Sequence, residues 1–153
     1  MNETVTRKGA CHCGAVQFEV EFPSEELKGS RCNCGMCAMK GAAMVYVPVE
    51  ALTVTAGDGD LACYQFNTRV AKHHFCKNCG IHCFHQARSD PDKYAINAAC
   101  LEGVDPYADF PEMPVADGQR HSLDNGGVRR MAGIVRYEPS SDGDWHGLNN
   151  LQK

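Results

Sequence analysis

The chain reads as a mainly β protein built from small antiparallel sheets. Three observations carry that reading. Gly14 to Phe22 alternates strictly, with Val16, Phe18, Val20 and Phe22 on one face and Gln17, Glu19 and Glu21 on the other, the period of a half-buried strand. Several further short runs rich in Val, Tyr and Phe are bounded by Gly, Pro and Asp, and no stretch sustains a helical period. Seven of the ten cysteines fall into three tight clusters at places where turns belong.

Taken in order, the first strand is followed by a loop over residues 23–30. Ala42 to Pro48 is apolar and closed by its proline, giving a second strand. Gly57-Asp58-Gly59-Asp60 is a turn leading into a strand over Leu61 to Phe66. Further strands are expected at Val70–Phe75, Ile81–His85 and Tyr94–Ala98, with Arg88 to Asp92 as the turn between the last two. From Leu101 the texture changes. Asp105-Pro106, Pro111, Pro114 and Asp124-Asn125-Gly126-Gly127 mark a long irregular segment over roughly residues 102–127, and unstructured loops of that length in a compact domain are functional or disordered. A last strand is expected over Ala132 to Tyr137. The organisation expected is one domain over residues 1–139 and a loosely held tail over residues 140–153.

Composition narrows the function. The chain has 153 residues, 43% hydrophobic and 22% charged, ordinary for a soluble globular protein. A net charge of −4 argues against nucleic acid as the main partner. No apolar run approaches the roughly 20 residues a membrane span needs, and the polar start, Met1-Asn2-Glu3-Thr4, does not resemble a secretory signal. The expected location is cytoplasmic, where thiols stay reduced and clustered cysteines serve metals or catalysis more often than disulfides.

The clusters are Cys11-His12-Cys13, Cys32-Asn33-Cys34-Gly35-Met36-Cys37 and Cys76-Lys77-Asn78-Cys79-Gly80. Cysteines one or two residues apart cannot all pair with their close neighbours as relaxed disulfides. Two thiolates on a tight turn can instead both face a cation about 2.3 Å away. Two pairs and one triplet therefore predict two metal sites of unequal kind. Cys11, Cys13, Cys76 and Cys79 make a closed four-sulfur site, with Gly14 and Gly80 supplying the positive φ such turns need. The rival reading, a redox dithiol, lacks the strand-to-helix setting of that motif.

Cys32, Cys34 and Cys37 lie within six residues and leave a fourth coordination position for water, substrate or another residue, His74 and Cys83 being candidates by type. Such a site can hold a thiolate or polarise a carbonyl; a second structural site is the bland alternative, and spacing alone does not choose. Cys63, Cys83 and Cys100 read as small buried hydrophobes. His12, His73, His82 and His85 read as strand-surface or hydrogen-bonded residues rather than ligands. Arg69, Lys72, Arg88, Arg129 and Arg130 are available cations for an acidic substrate.

Together the motifs resemble the glutathione-dependent formaldehyde-activating enzyme family, of Mss4-like fold. The carriers are Gly9-Ala10-Cys11-His12-Cys13-Gly14, the Cys-x-Cys-x-x-Cys of residues 32–37, and His74-Phe75-Cys76-Lys77-Asn78-Cys79-Gly80-Ile81-His82. Ser89-Asp90-Pro91-Asp92 through Asn97 and Leu101-Glu102-Gly103 extend the likeness, which covers about residues 9–110. Three positions depart from the family pattern: Gly35 and Ala38 stand where serine and a basic residue are common, and Cys83 stands at a usually apolar position. The resemblance implies small twisted sheets arranged as a β-tent, a structural zinc on the two cysteine pairs, and a more labile catalytic zinc on Cys32, Cys34 and Cys37. It also implies a carbon–sulfur lyase-type activity that joins glutathione and formaldehyde as S-(hydroxymethyl)glutathione. An interaction or chaperone-like module with only the structural zinc is the alternative from a different class. A third is a redox- or metal-responsive protein whose triplet forms a disulfide on oxidation.

Overall fold

In the computed structural model, which describes residues 3–141, eleven strands form two sheets. The smaller sheet joins β1 (Val5–Ala10), β2 (Gln17–Phe22) and β5 (Leu52–Ala56) in the order β1-β2-β5. The larger contains β3 (Gly29–Cys32), β4 (Met44–Pro48), β6 (Leu61–Tyr64), β7 (Lys72–Cys76), β8 (His82–Gln86), β9 (Lys93–Asn97), β10 (Glu112–Ala116) and β11 (Met131–Arg136). Its order is β11-β10-β3-β4-β9-β8-β7-β6, antiparallel except for β10 against β3. The mainly β expectation holds. The first expected strand begins at Gln17 rather than Gly14, because Cys11 to Ala15 is spent on a turn.

Alternation in β2 buries Phe18, Val20 and Phe22 against the larger sheet, where Phe18 meets Phe84 edge-on with ring centroids 5.5 Å apart. Register then divides the larger sheet into two faces. Val45, Ile96, Phe84 and His74 stand opposite one another across β4, β9, β8 and β7, and form the core side. Tyr46, Ala95, His85, His73 and Tyr64 form the next row on the reverse side. That reverse face carries the cavity described below.

Several elements escaped the sequence reading. The run 102–127 is not wholly irregular: it contains β10, even though Pro114 lies within it. Its pairing to β3 involves only Val115 and Ala116, beyond the proline, so the missing N–H costs nothing there. A six-residue helix, α1 (Gly35–Lys40), follows β3, too short to show a helical period. Its N-cap is Cys34, whose sulfur accepts from the Cys37 amide, and Gly41 closes it at φ 64°. Cys63 is exposed on the edge strand β6 and not buried as expected, whereas Cys83 and Cys100 are buried. Of the expected tail, residues 142–153 lie outside the described residues, with Trp145 and His146 among them. No helix among the described residues is long and apolar enough to cross a membrane.

Candidate metal centres and cavity

The turn between β1 and β2 carries Cys11 and Cys13; the turn between β7 and β8 carries Cys76 and Cys79. Both are closed by backbone bonds, Gly14 N–H to Cys11 O at 3.1 Å and Gly80 N–H to Cys76 O at 2.9 Å, with φ of 79° and 75° at the two glycines. One turn comes from each sheet, and their four sulfurs converge within 4.8 Å of one another. Cys11 Sγ lies 3.6 Å from Cys13 Sγ, and Cys13 Sγ lies 3.7 Å from Cys76 Sγ. Ligands of a tetrahedral centre with 2.3 Å bonds stand about 3.8 Å apart, so the spacing fits a metal. The Val16 amide also donates to Cys11 Sγ at 3.3 Å. Burial, above all, pushes the Cys11 thiol up to about 12; a cation among the sulfurs removes that penalty.

Cys32, Cys34 and Cys37 also bring their sulfurs within 4.8 Å of one another. β3 ends at Cys32, the chain turns at Asn33, Cys34 caps α1, and Cys37 sits in its first turn. Amides aim at sulfur here too: Cys34 N–H to Cys32 Sγ and Cys37 N–H to Cys34 Sγ, each 3.4 Å. Hydrogen bonds from the Cys32 and Cys37 thiols hold Cys34 down at about 2, and contacts with Cys32 first and then Cys34 push Cys37 strongly up. This donor set of three half-buried sulfurs suits a soft or borderline cation. Neither His74 nor Cys83 completes it. His74 faces the core beside Phe84, and Cys83 is buried with its thiol on Ile81 O.

The triplet lines a cavity of about 660 Å³ on the reverse face of the larger sheet, with Tyr46, His73 and His85 on the same wall. The opposite wall is the segment 117–130. Asn33, between the first two cysteines, accepts from the Gly118 amide at 2.8 Å and the Gln119 amide at 3.1 Å. Gly118 has no room for a side chain, since a Cβ there would overlap Cys32 Sγ and lie 2.7 Å from Cys34 Cβ. The same segment is clipped further along: Arg129 grips Asp90 at 3.0 and 3.1 Å, and Arg88 grips Asp124 at 2.7 and 2.8 Å. Arg129 holds the Asp90 carboxyl below its usual range, as Arg88 does for Asp124. A depressed folded pKa makes both clips effective above about pH 4, and they loosen as pH falls through the folded values.

Of the five cations singled out from sequence, Arg88, Arg129 and Arg130 line the cavity, whereas Arg69 and Lys72 do not. Arg88 and Arg129 are spent on the clips. Arg130 forms no ion pair among the described residues. The sequence reading missed the cavity roles of Tyr46, Gly118, Asn33 and the two histidines. The turn itself sets Phe75 opposite His82, and a register shift between His74 and Phe75 then brings His73 opposite His85, a pairing the turn motif alone does not predict.

Two turns stapling two sheets through converging cysteines, with a separate thiol triplet at a cavity, define a cysteine-rich β protein able to hold metal. The model of the glutathione-dependent formaldehyde-activating enzyme family matches residues 6–114, and the chain belongs to that family. Two fungal relatives carry that enzyme's name provisionally. The protein from Phaeosphaeria nodorum is 33% identical and that from Penicillium rubens 27% identical, each over 84 residues. Both matches cover 52% of this chain and 44% of the relative, so the chain spans less than half the length of these curated relatives. A crystal structure of a Rhodobacter sphaeroides protein is 46% identical with a TM-score of 0.67, covering 71% of this chain and 98% of that one.

Proposed function

We propose that this chain is a carbon–sulfur lyase-type enzyme that joins a thiol, glutathione, to formaldehyde or a related aldehyde. The thiol sulfur forms a bond to the carbonyl carbon, and the thiol proton ends on the former carbonyl oxygen. The observation that carries this reading is the thiol triplet opening onto a cavity of about 660 Å³ large enough for both reactants. Family membership supplies the substrate class.

Cys11, Cys13, Cys76 and Cys79 would hold a structural zinc, and Cys32, Cys34 and Cys37 a more labile one. Zinc at the triplet supplies a Lewis acid that keeps a bound thiol ionised and polarises a carbonyl. The protein's own groups then position the reactants. Arg130 offers a cavity-facing cation to a glutathione carboxylate. The Tyr46 hydroxyl, pushed up to about 12 by burial and the nearby Cys37 and Cys32, stays protonated and able to donate to an oxygen. Gly118 and Gln119, drawn in by Asn33, narrow the cavity over the sulfurs and limit water. The chemistry needs free thiols, which a reducing compartment such as the cytoplasm maintains.

Exchange of the glutathione–formaldehyde adduct, followed by NMR at equilibrium, tests the activity against spontaneous addition. Wild-type protein should exceed the buffer rate; rates equal to buffer across several aldehydes would remove the reading. Arg130→Ala should raise KM for glutathione roughly tenfold, the cost of one charge-assisted contact, and leave a thiol without carboxylates, such as 2-mercaptoethanol, unaffected. Equal effects on both thiols would exclude carboxylate recognition by Arg130. Gly118→Ala should shift Cys32 and Cys34 and release metal from the triplet at lower chelator concentration, with the four-sulfur centre retained. Unchanged release would mean the turn adapts to the extra methyl.

A further inference from the structure

Outside both cysteine clusters, three imidazoles meet on the cavity side of the larger sheet. His73 and His85 are a cross-strand pair on β7 and β8, and His82 opens β8. Simple alternation would turn His82 away from His85. The register shift between His74 and Phe75 breaks that alternation, and bulges re-aim side chains in this way. One nitrogen from each ring lies within 4.8 Å of the other two.

We propose that His73, His82 and His85 form a third metal site, separate from the cysteine centres, for a first-row divalent cation whose open coordination faces the cavity. It stands independently of the thiol chemistry proposed above. His85 Nδ1 and His82 Nε2 are 3.2 Å apart, and two nitrogens on a tetrahedral ion with bonds of 2.0–2.1 Å stand about 3.3 Å apart. Imidazole ligands suit zinc, copper, nickel or iron rather than magnesium or calcium. His73 and His85 are nearly inaccessible, at 5% and 3% exposure, yet both border the cavity, while His82 is half-buried and does not line it. An ion there would thus be anchored from the sheet and approachable from one side, the arrangement of a site that keeps an exchangeable position.

The surroundings leave these rings short of ordinary partners. His82 Nδ1 is buried with no hydrogen bond, and no carboxylate is hydrogen-bonded to any of the three among the described residues. Burial, reinforced by Lys40, pushes all three down, to about 4, 2 and 3 for His73, His82 and His85, so the rings are neutral and ready to ligate. Lys40 reaches from α1 to within 2.6 Å of His73 Nδ1. It is the one cation in contact with the cluster among the described residues, on a flexible stem that can withdraw when an ion enters.

The test is a cobalt(II) titration of the full chain after zinc has saturated the cysteine centres. Wild type should bind one further equivalent with visible d–d bands and no thiolate-to-cobalt band in the near ultraviolet, and its NMR spectrum should gain hyperfine-shifted imidazole resonances. His85→Gln and His82→Asn should each weaken that equivalent by more than about tenfold, the least that disturbing a ligand's support costs. Cys34→Ser should keep it. A wild type without the further equivalent, a thiolate band accompanying it, or its loss in Cys34→Ser would overturn the site. So would its retention in both histidine variants. The wild-type spectra decide even if a histidine variant does not fold.

Discussion

Cys76→Ser is expected to leave little or no soluble folded protein. Cys76 has no exposed surface, and it belongs to the β7–β8 turn that meets the β1–β2 turn of the other sheet. A structural zinc there would contribute folding free energy directly, with apparent values of about 10–16 kcal/mol in small zinc peptides, comparable to a typical domain's whole margin of about 5–15 kcal/mol. Losing one ligand forfeits much of that and strands a buried hydroxyl among sulfurs. Soluble yield, near-ultraviolet circular dichroism and zinc per chain check it. A folded variant with wild-type melting temperature would show that the sheets hold together without the staple.

Cys34→Ala should act in the opposite sense, abolishing thiol–aldehyde exchange while the fold persists. The substitution takes away one donor of the triplet and leaves the four-sulfur cluster intact. It also deletes the α1 cap, worth about 1 kcal/mol. In a domain of this size that lowers the melting temperature by roughly 2–4 °C. Exchange should fall at least a hundredfold, about 2.7 kcal/mol of barrier. Calorimetry and equilibrium NMR on one preparation read both quantities. Activity surviving in this variant would take the reaction away from the triplet; a collapse in melting temperature would make the triplet a second staple.

The sequence disclosed what depends on local chemistry. Period-2 alternation placed β2, and short cysteine spacings with Gly14 and Gly80 marked the two turns whose sulfurs converge. What it hid depends on long-range register. Nothing near Gly118 announces that it lies against Cys32 and Cys34, because that contact is made through the β3–β10 pairing. His73, His82 and His85 looked like surface residues, since alternation assigns only half of a strand to the core. In this sheet both faces of β8 are covered, with Cys83, Phe84 and His85 all buried in succession. α1 went unseen for a third reason: six residues held by a cysteine cap and Arg31 on Gly41 O owe their helicity to neighbours rather than to propensity.

The parallel pairing of β3 with β10 also has a consequence in time. Asn33 and the Gly118 amide it holds are 85 residues apart in the chain. At synthesis rates of about 5–20 residues per second, the thiol turn emerges roughly 4–17 s before the strand that shelters it. The Cys76–Cys79 turn appears midway, so the two sheets can be pinned while the triplet is still an open tripod on a nascent chain. Metal delivery and oxidative damage therefore compete for the same sulfurs during that interval. Expression under peroxide stress should yield chains that are correctly stapled yet carry a spoiled triplet, a population fixed by the order of assembly rather than by the affinity of the finished site.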